Sequence, residues 1–308
     1  MQYLVILLDD TSVSYCHCDN PHKERRLISL DDLRAGILYA MKQNLMIQFV
    51  YPDYELPQEY LDLIDTIDHH DIRGRYEGAS PADVTVFDKS VLAGETHVSQ
   101  SVAVLRLTKA ELFENAEAIG KILPKMQRLN IVVTDIETIT DEELKSYAGV
   151  LEEFASVLKD EYLAGRMPQL NLLTDRMMLD RPNHCNAGVE NITLAPNGKY
   201  YLCPAFYYSN PDDSIDPQDI KNQQLLRLDH APLCRHCDAY HCRRCIWLNR
   251  KTTLEVNTPS REQCIVAHTE REASRRLLAA IREQAVFMPE VEIKELNYND
   301  PFEVRKEW

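Results

Sequence analysis

Seven of the nine cysteines of this 308-residue chain lie between Cys185 and Cys264, in about a quarter of its length. They are Cys185, Cys203, Cys234, Cys237, Cys242, Cys245 and Cys264. Four fall in one block, LCRHCDAYHCRRC, as two CxxC pairs separated by four residues. A two-residue gap lets both thiolates of a pair reach one metal centre without strain. Paired and flanking cysteines therefore read as a metal or iron–sulfur module. A disulfide framework would suit an oxidising compartment, but nothing else in the chain looks secreted.

Hydrophobic residues make up 44% of the chain, enough to bury a core. The longest apolar run, YLVILL, is far too short to span a membrane. Asp9 and Asp10 interrupt it and no basic region precedes it, so no signal peptide is read and the protein is expected to be cytoplasmic. The net charge of −15 speaks against unaided nucleic-acid binding. It is unevenly spread: residues 1–184 hold 18 Lys/Arg against 31 Asp/Glu, and residues 185–264 hold nine of each. This shift suggests a division into residues 1–180, residues 181–288 and a tail of residues 289–308. The acidic portion is either a solvated face or a surface for a basic peptide or partner.

Strand and helix signals alternate in the first part. YLVILL reads as a buried strand stopped by Asp-Asp, and SLDDLRAGILYAMKQN as a helix capped by Ser29. LMIQFVY, DVTVFD, SVAVLRL, LNIVVTDI and QLNLLTD read as further strands. LPQEYLDLIDTI, KAELFENAEAIGKILPKM and the long segment from Thr140 to Gly165 read as helices, the second kinked or ended by Pro124. Such alternation implies βαβ units and a mainly parallel sheet; an open partial barrel and a doubly wound sheet fit equally well. NITLAPNGKYYLC reads as a hairpin turning at Asn197-Gly198, and residues 265–287 as a helix.

The cysteine pattern resembles the SPASM domain, the auxiliary-cluster module of many radical SAM peptide-modifying enzymes. Cys185, then Gly198 with Cys203 beyond it, the four-cysteine block and Cys264 follow that module's order. The central gaps of four and two residues depart from the usual five and three. The resemblance implies two 4Fe–4S clusters: one on Cys185, Cys203 and Cys245, the other on Cys234, Cys237, Cys242 and Cys264. The first set is one ligand short, with His184 and His241 the nearest candidates to complete it. Zinc is the alternative metal, since tetrathiolate sites with CxxC pairs suit it equally.

The first half resembles a radical SAM partial (β/α) barrel, but without its CxxxCxxC motif. The loop after the first strand has only Cys16-His17-Cys18, and FVYPDYE stands where that family has Gly-Gly-Glu. Together with the opening YLVILLDDTSVSYC, these stretches resemble the CXXX repeat peptide maturase family. The resemblance implies maturation of a ribosomally made Cys-repeat precursor peptide, by an accessory protein acting with an active radical SAM partner enzyme. Cleavage of S-adenosylmethionine by the chain alone is not expected. An active enzyme with an unusual cluster at Cys16/Cys18, and a zinc-stabilised scaffold, are the competing readings.

Overall fold

An uninterrupted apolar segment of five to six residues is buried on both faces, as strands of a parallel sheet are. YLVIL meets that condition as β1 (Tyr3–Leu7), whose last four residues are buried. The computed structural model describes residues 1–75, 82–93, 102–179, 181–217 and 223–284. The further strands are β2 (Met46–Val50), β3 (His69–Gly74), β4 (Val84–Phe87), β5 (Val102–Leu107), β6 (Arg128–Val133), β7 (Gln169–Leu170), β8 (Asn191–Leu194) and β9 (Tyr200–Tyr201). The helices are α1 (Leu30–Gln43), α2 (Gln58–Ile64), α3 (Lys109–Glu114), α4 (Ala116–Ile122), α5 (Asp141–Leu163), α6 (Thr174–Met178), α7 (Pro204–Ser209), α8 (Gln223–Leu226), α9 (Ile246–Thr253) and α10 (Arg261–Glu283). The expected tail, residues 289–308, lies outside the described residues. None of the described helices is long and apolar enough to cross a membrane.

The chain forms two compact units interleaved in sequence. The first joins Met1–Asp135 to Asn186–Gln223; the second joins Ile136–Cys185 to the described residues from Gln224 onward. The composition shift near residue 180 does not mark this division, because Asn186–Gln223 returns to the first unit.

In the first unit the strands run β6-β5-β4-β3-β2-β1-β8-β9. Every pairing is parallel except the β8–β9 hairpin. β1 to β6 stand in chain order without reversal, which is the winding of an open partial barrel; a doubly wound sheet reverses at a switch point. β3 was not expected from sequence, since His69, His70, Asp71 and Arg73 give it no apolar run. It pairs in parallel on both sides, and its polar side chains pair with one another: Arg73 lies 2.7 Å from the Asp71 carboxylate and over the Tyr51 ring.

Ser29 caps α1, accepting from Asp32 N–H at 3.1 Å. Leu33, Ile37 and Ala40 of α1 join one apolar cluster with Leu4, Ile6, Ile47, Phe49, Ile192 and Leu194 of β1, β2 and β8. The third expected helix is broken at Asn115 into α3 and α4, and Pro124 lies in the short 3-10 turn that follows. The β8–β9 connection does turn at Asn197-Gly198, but not as a two-residue hairpin. Gly198 N–H donates to Ala195 O at 2.9 Å, which places Pro196 at the second position of the turn, and only Gly198 takes positive φ, at 74°.

In the second unit α5 packs against α10. Thr140 and Glu143 form a capping box at the start of α5, and Gly165 at φ 79° follows its end. The expected strand over residues 169–175 is only β7, followed by α6. Thr174 explains the stop: its hydroxyl bonds both the N–H and the carbonyl of Leu170, which turns the chain back. The last helix begins at Arg261, four residues earlier than expected, because Ser260 caps it.

Two glycines give opposite predictions. A Cβ on Gly36 of α1 would stand 2.4 Å from Leu194 Cδ2, which is buried in the core. Gly36→Val should therefore lower unfolding free energy by about 1–3 kcal/mol through overpacking. Gly149 of α5 has open space around its Cβ position, so Gly149→Ala should raise stability by about 0.5–1 kcal/mol. Denaturant titration of both variants is the measurement.

Candidate metal centre

The loop between β1 and α1 is fixed by charge from within. Asp9 is fully buried; its carboxylate accepts from Thr11 N–H at 2.9 Å, Thr11 Oγ1–H at 2.7 Å and Tyr54 O–H at 2.9 Å. Asp10 accepts from Tyr207 O–H and pairs with the Arg26 guanidinium at 3.0 Å. Burial, then the bond to Asp10, raises the Tyr207 pKa, so its phenol stays protonated and donates. The Asp-Asp pair that ends β1 thus anchors the loop.

Arg106 of β5 holds the loop's far side. It donates to Cys16 O at 2.9 Å and Cys18 O at 3.2 Å, and pairs with Asp19 at 2.7 Å. Cys18 is buried, its thiol 3.3 Å from Asp19 O, 3.8 Å from Ala205 O and 3.6 Å from Ser209 Oγ. His17 Nδ1 bonds Val133 O at 2.9 Å. Beside the loop opens a polar cleft of about 690 Å³, with Ser12, Ser14, Asn20, His22, Arg25 and Arg106 among its lining residues.

Six of the seven expected ligand cysteines belong to the second unit; Cys203 belongs to the first, where it is buried just before α7. Cys234 begins a 3-10 turn and Cys237 follows it. Cys245 precedes α9, and Cys264 lies in the first turn of α10. Cys185 is exposed, with its N–H donating to Arg243 O at 3.0 Å. Cys234 lies close enough to Cys237, and both lie close enough to Cys242, for the ionised thiol to raise its neighbour's pKa. Burial is the larger cause; it pushes Cys237 up to about 11 and Cys242 higher still, so both are neutral thiols near pH 7.

Opposing this, the buried Arg244 guanidinium lies within electrostatic reach of Cys185, Cys234 and Cys242. Arg244 stands at φ 44° and donates to Leu226 O and to Asn257 Oδ1. A cation in this position favours the deprotonated thiolates that metals require.

The two histidines expected as supplementary ligands are arranged alike. His184 Nδ1 bonds Cys242 O at 2.7 Å, while its Nε2 is buried without a partner. Burial lowers the His184 pKa to about 4, leaving the imidazole neutral. His241 Nε2 bonds Glu270 at 3.0 Å, while its Nδ1 is buried without a partner. Glu270 also accepts from Tyr147 O–H. One nitrogen fixed by an oxygen and the other left open is how protein scaffolds orient metal-binding histidines.

A third histidine, His268 of α10, escaped the sequence reading; its Nε2 is 3.5 Å from Cys237 Sγ. Its one sequence signal is the four-residue step from Cys264, an i,i+4 helical pair. The neutral His184 imidazole and the mutually close thiols fit the donor chemistry of a thiophilic metal or cluster. Among the described residues, no three His, Cys, Asp or Glu side chains converge on a single ion position.

Asp238, directly after Cys237, sets the path of this segment. It is 2% exposed and lies 2.9 Å from Arg271 of α10 and 3.5 Å from Arg176 of α6. Asp238→Ala strands the buried Arg176 guanidinium and leaves Arg271 with only Glu272, 2.8 Å away, and should cost about 3–5 kcal/mol in denaturant unfolding. A loss below about 1 kcal/mol would mean that these charges are solvated.

No family model matches this chain, and no curated protein matches it in sequence. Solved structures match it in fold. The anaerobic sulfatase-maturating radical SAM/SPASM enzyme anSMEcpe, with bound AdoMet, aligns at a TM-score of 0.61 and 12% identity, covering 92% of this chain and 100% of that one. The same enzyme with bound AdoMet and Cp18Cys peptide aligns at 0.60 and 12% identity, with the same coverage. Its complex with AdoMet and Kp18Cys peptide aligns at 0.58 and 12% identity, covering 91% of this chain and 99% of that one. The chain is a mixed α/β protein with a parallel-sheet core of the kind found in radical SAM enzymes.

Proposed function

We propose that this protein is an accessory maturase for a ribosomally made Cys-repeat peptide, binding iron–sulfur clusters and working with a separate, active radical SAM enzyme. One observation carries the reading. The chain has the fold of an enzyme solved with AdoMet and peptide, yet its loop after β1 has only Cys16 and Cys18, with the Cys18 thiol buried and facing Ala205 and Ser209 of α7. A barrel retained without three exposed loop thiolates suits docking better than AdoMet cleavage. The CXXX repeat peptide maturase family is the specific relationship we favour.

Cys185, Cys203, Cys234, Cys237, Cys242, Cys245 and Cys264 would hold two clusters, in place of the alternative zinc. A bound 4Fe–4S cluster supplies an electron-transfer group or an iron site for a substrate thiolate. The residues of the chain itself prepare the site. Asp238 fixes the cysteine segment, Arg244 favours ionised thiols, and Cys242 O and Glu270 orient His184 and His241. The excess of acidic residues before Cys185 gives long-range attraction to a basic peptide or partner, weakening as salt rises. A cytoplasmic setting, with reduced thiols, suits all of these roles.

Anaerobic reconstitution should yield roughly eight irons per chain with matching acid-labile sulfide, as two 4Fe clusters require. Stoichiometric zinc without sulfide would replace this reading with the zinc scaffold. Strong reductant and AdoMet should give 5′-deoxyadenosine only at background; product that disappears in Cys16→Ala would instead make the chain an active enzyme. Pull-down with a tagged radical SAM partner and the precursor peptide tests the accessory role, which fails if neither is retained at micromolar concentration.

A further inference from the structure

We infer that the cleft beside the β1–α1 loop binds a small, hydroxyl-bearing phosphate ester. His22, Lys23 and Arg25 would hold the phosphate and Asp53 the hydroxyls. The inference uses no cysteine and stands apart from the metal-binding reading.

The cleft, about 690 Å³, falls within the range of about 300–1,000 Å³ usual for small-molecule sites. All of its lining residues belong to the first unit. Such sites are mostly apolar, yet here every lining residue except Val13 and Pro21 is polar or charged. The ligand must therefore be polar. The charge is also out of place. Acids outnumber bases by 31 to 18 over residues 1–184, but three cations, Lys23, Arg25 and Arg106, line the cleft with two carboxylates, Asp19 and Asp53.

Which of these charges are already matched decides the ligand. Arg106 is committed to Cys16 O, Cys18 O and Asp19. Removing that pair leaves Lys23, Arg25 and Asp53. Among the described residues neither Lys23 nor Arg25, both exposed, has an ion-pair partner. The Arg25 guanidinium lies over the Tyr54 ring, 4.1 Å from its centroid, and Asp9 fixes Tyr54. A guanidinium stacked by its face keeps its N–H edge for an anion and suits phosphate oxygens bidentately. Asp53 acts on the same Tyr54 hydroxyl as Arg25, which places the two charges on one side of the cleft.

His22 adds a positioned nitrogen. Its ring stacks on Tyr207 at 5.1 Å, and its Nε2 is buried without a partner among the described residues. A buried ring nitrogen left so is costly unless a ligand atom bonds it. Two unmatched cations suit a dianion. A carboxylate carries a single charge, whereas a phosphate monoester carries about −1.5 to −2 at pH 7. Asp53 repels that anion unless it has a donor of its own to accept from, and hydroxyls on the ester supply one.

Calorimetric titration of the full chain with ribose 5-phosphate, inorganic phosphate and ribose is the test. Ribose 5-phosphate should bind saturably, inorganic phosphate more weakly, and ribose not at all. Lys23→Ala and Arg25→Ala should each weaken ribose 5-phosphate about tenfold or more, the size of a charge-assisted hydrogen bond. Arg25→Lys should recover only part of that loss, and His22→Ala should weaken binding by less. Asp53→Asn should weaken ribose 5-phosphate yet tighten inorganic phosphate, a split that a merely cationic surface would not give. No saturable binding of ribose 5-phosphate at millimolar concentration, or an affinity unchanged by Lys23→Ala and Arg25→Ala, overturns the inference. So does tightening of both ligands in Asp53→Asn. S-adenosylmethionine, which has no phosphate, should not displace ribose 5-phosphate; a cleft that takes it and ignores ribose 5-phosphate belongs to another ligand, and the inference falls.

Discussion

The buried carboxylate of Asp238, held between the guanidinium groups of Arg271 and Arg176, is the interaction on which the cysteine-rich segment depends. Around it the chain has little regular structure: short 3-10 turns at Leu228–His230 and Cys234–His236 precede α9. A segment of that kind cannot bury enough apolar surface to fix its own course. Its path is instead set by the ion pairs and by backbone bonds such as Asn183 N–H to Tyr240 O. Arg271 and Arg176 each cost several kcal/mol to desolvate, on the order expected for a buried ion, so the carboxylate and the two cations are stable only together. This ties the thiol loop to α6 and α10, and so keeps Cys237 next to the helix that bears Cys264 and His268.

Where the sequence was legible, local chemistry and tertiary context agreed. Ser29 and Thr140 cap helices in the way their side chains dictate, and β1, β2, β5 and β6 are the apolar runs. It was illegible where tertiary pairing overrode composition. β3 is polar and exists because β2 and β4 hydrogen-bond it from both sides. QLNLLTD is apolar enough for a strand, yet the Thr174 hydroxyl turns it into α6 after two residues. The Asn197-Gly198 turn was visible, but Pro196 at the preceding position changed its type.

The candidate site divides along the same line. Cysteine spacing in sequence pointed to the thiols, because CxxC pairing is a local property. His268 was not legible, because its relation to Cys237 spans 31 residues and depends on where α10 lies. In the sequence Asp9 and Asp10 only mark the end of the first apolar run; burial and the Tyr54, Tyr207 and Arg26 partners make them anchors of the β1–α1 loop. Charge counts see such residues only as surface.

The pairing of β8 with β1 has a consequence for dissecting the protein. Tyr3–Ile6 hydrogen-bond to Asn191–Leu194, so the first strand of the sheet is completed by a segment synthesised nearly two hundred residues later. A fragment ending at residue 180 would leave β1 as a bare, apolar sheet edge, ready to recruit a strand from another molecule. The cut that composition suggests is thus expected to give insoluble material. During synthesis the sheet stays open on that side until the hairpin emerges, a long-range closure of the kind that slows folding.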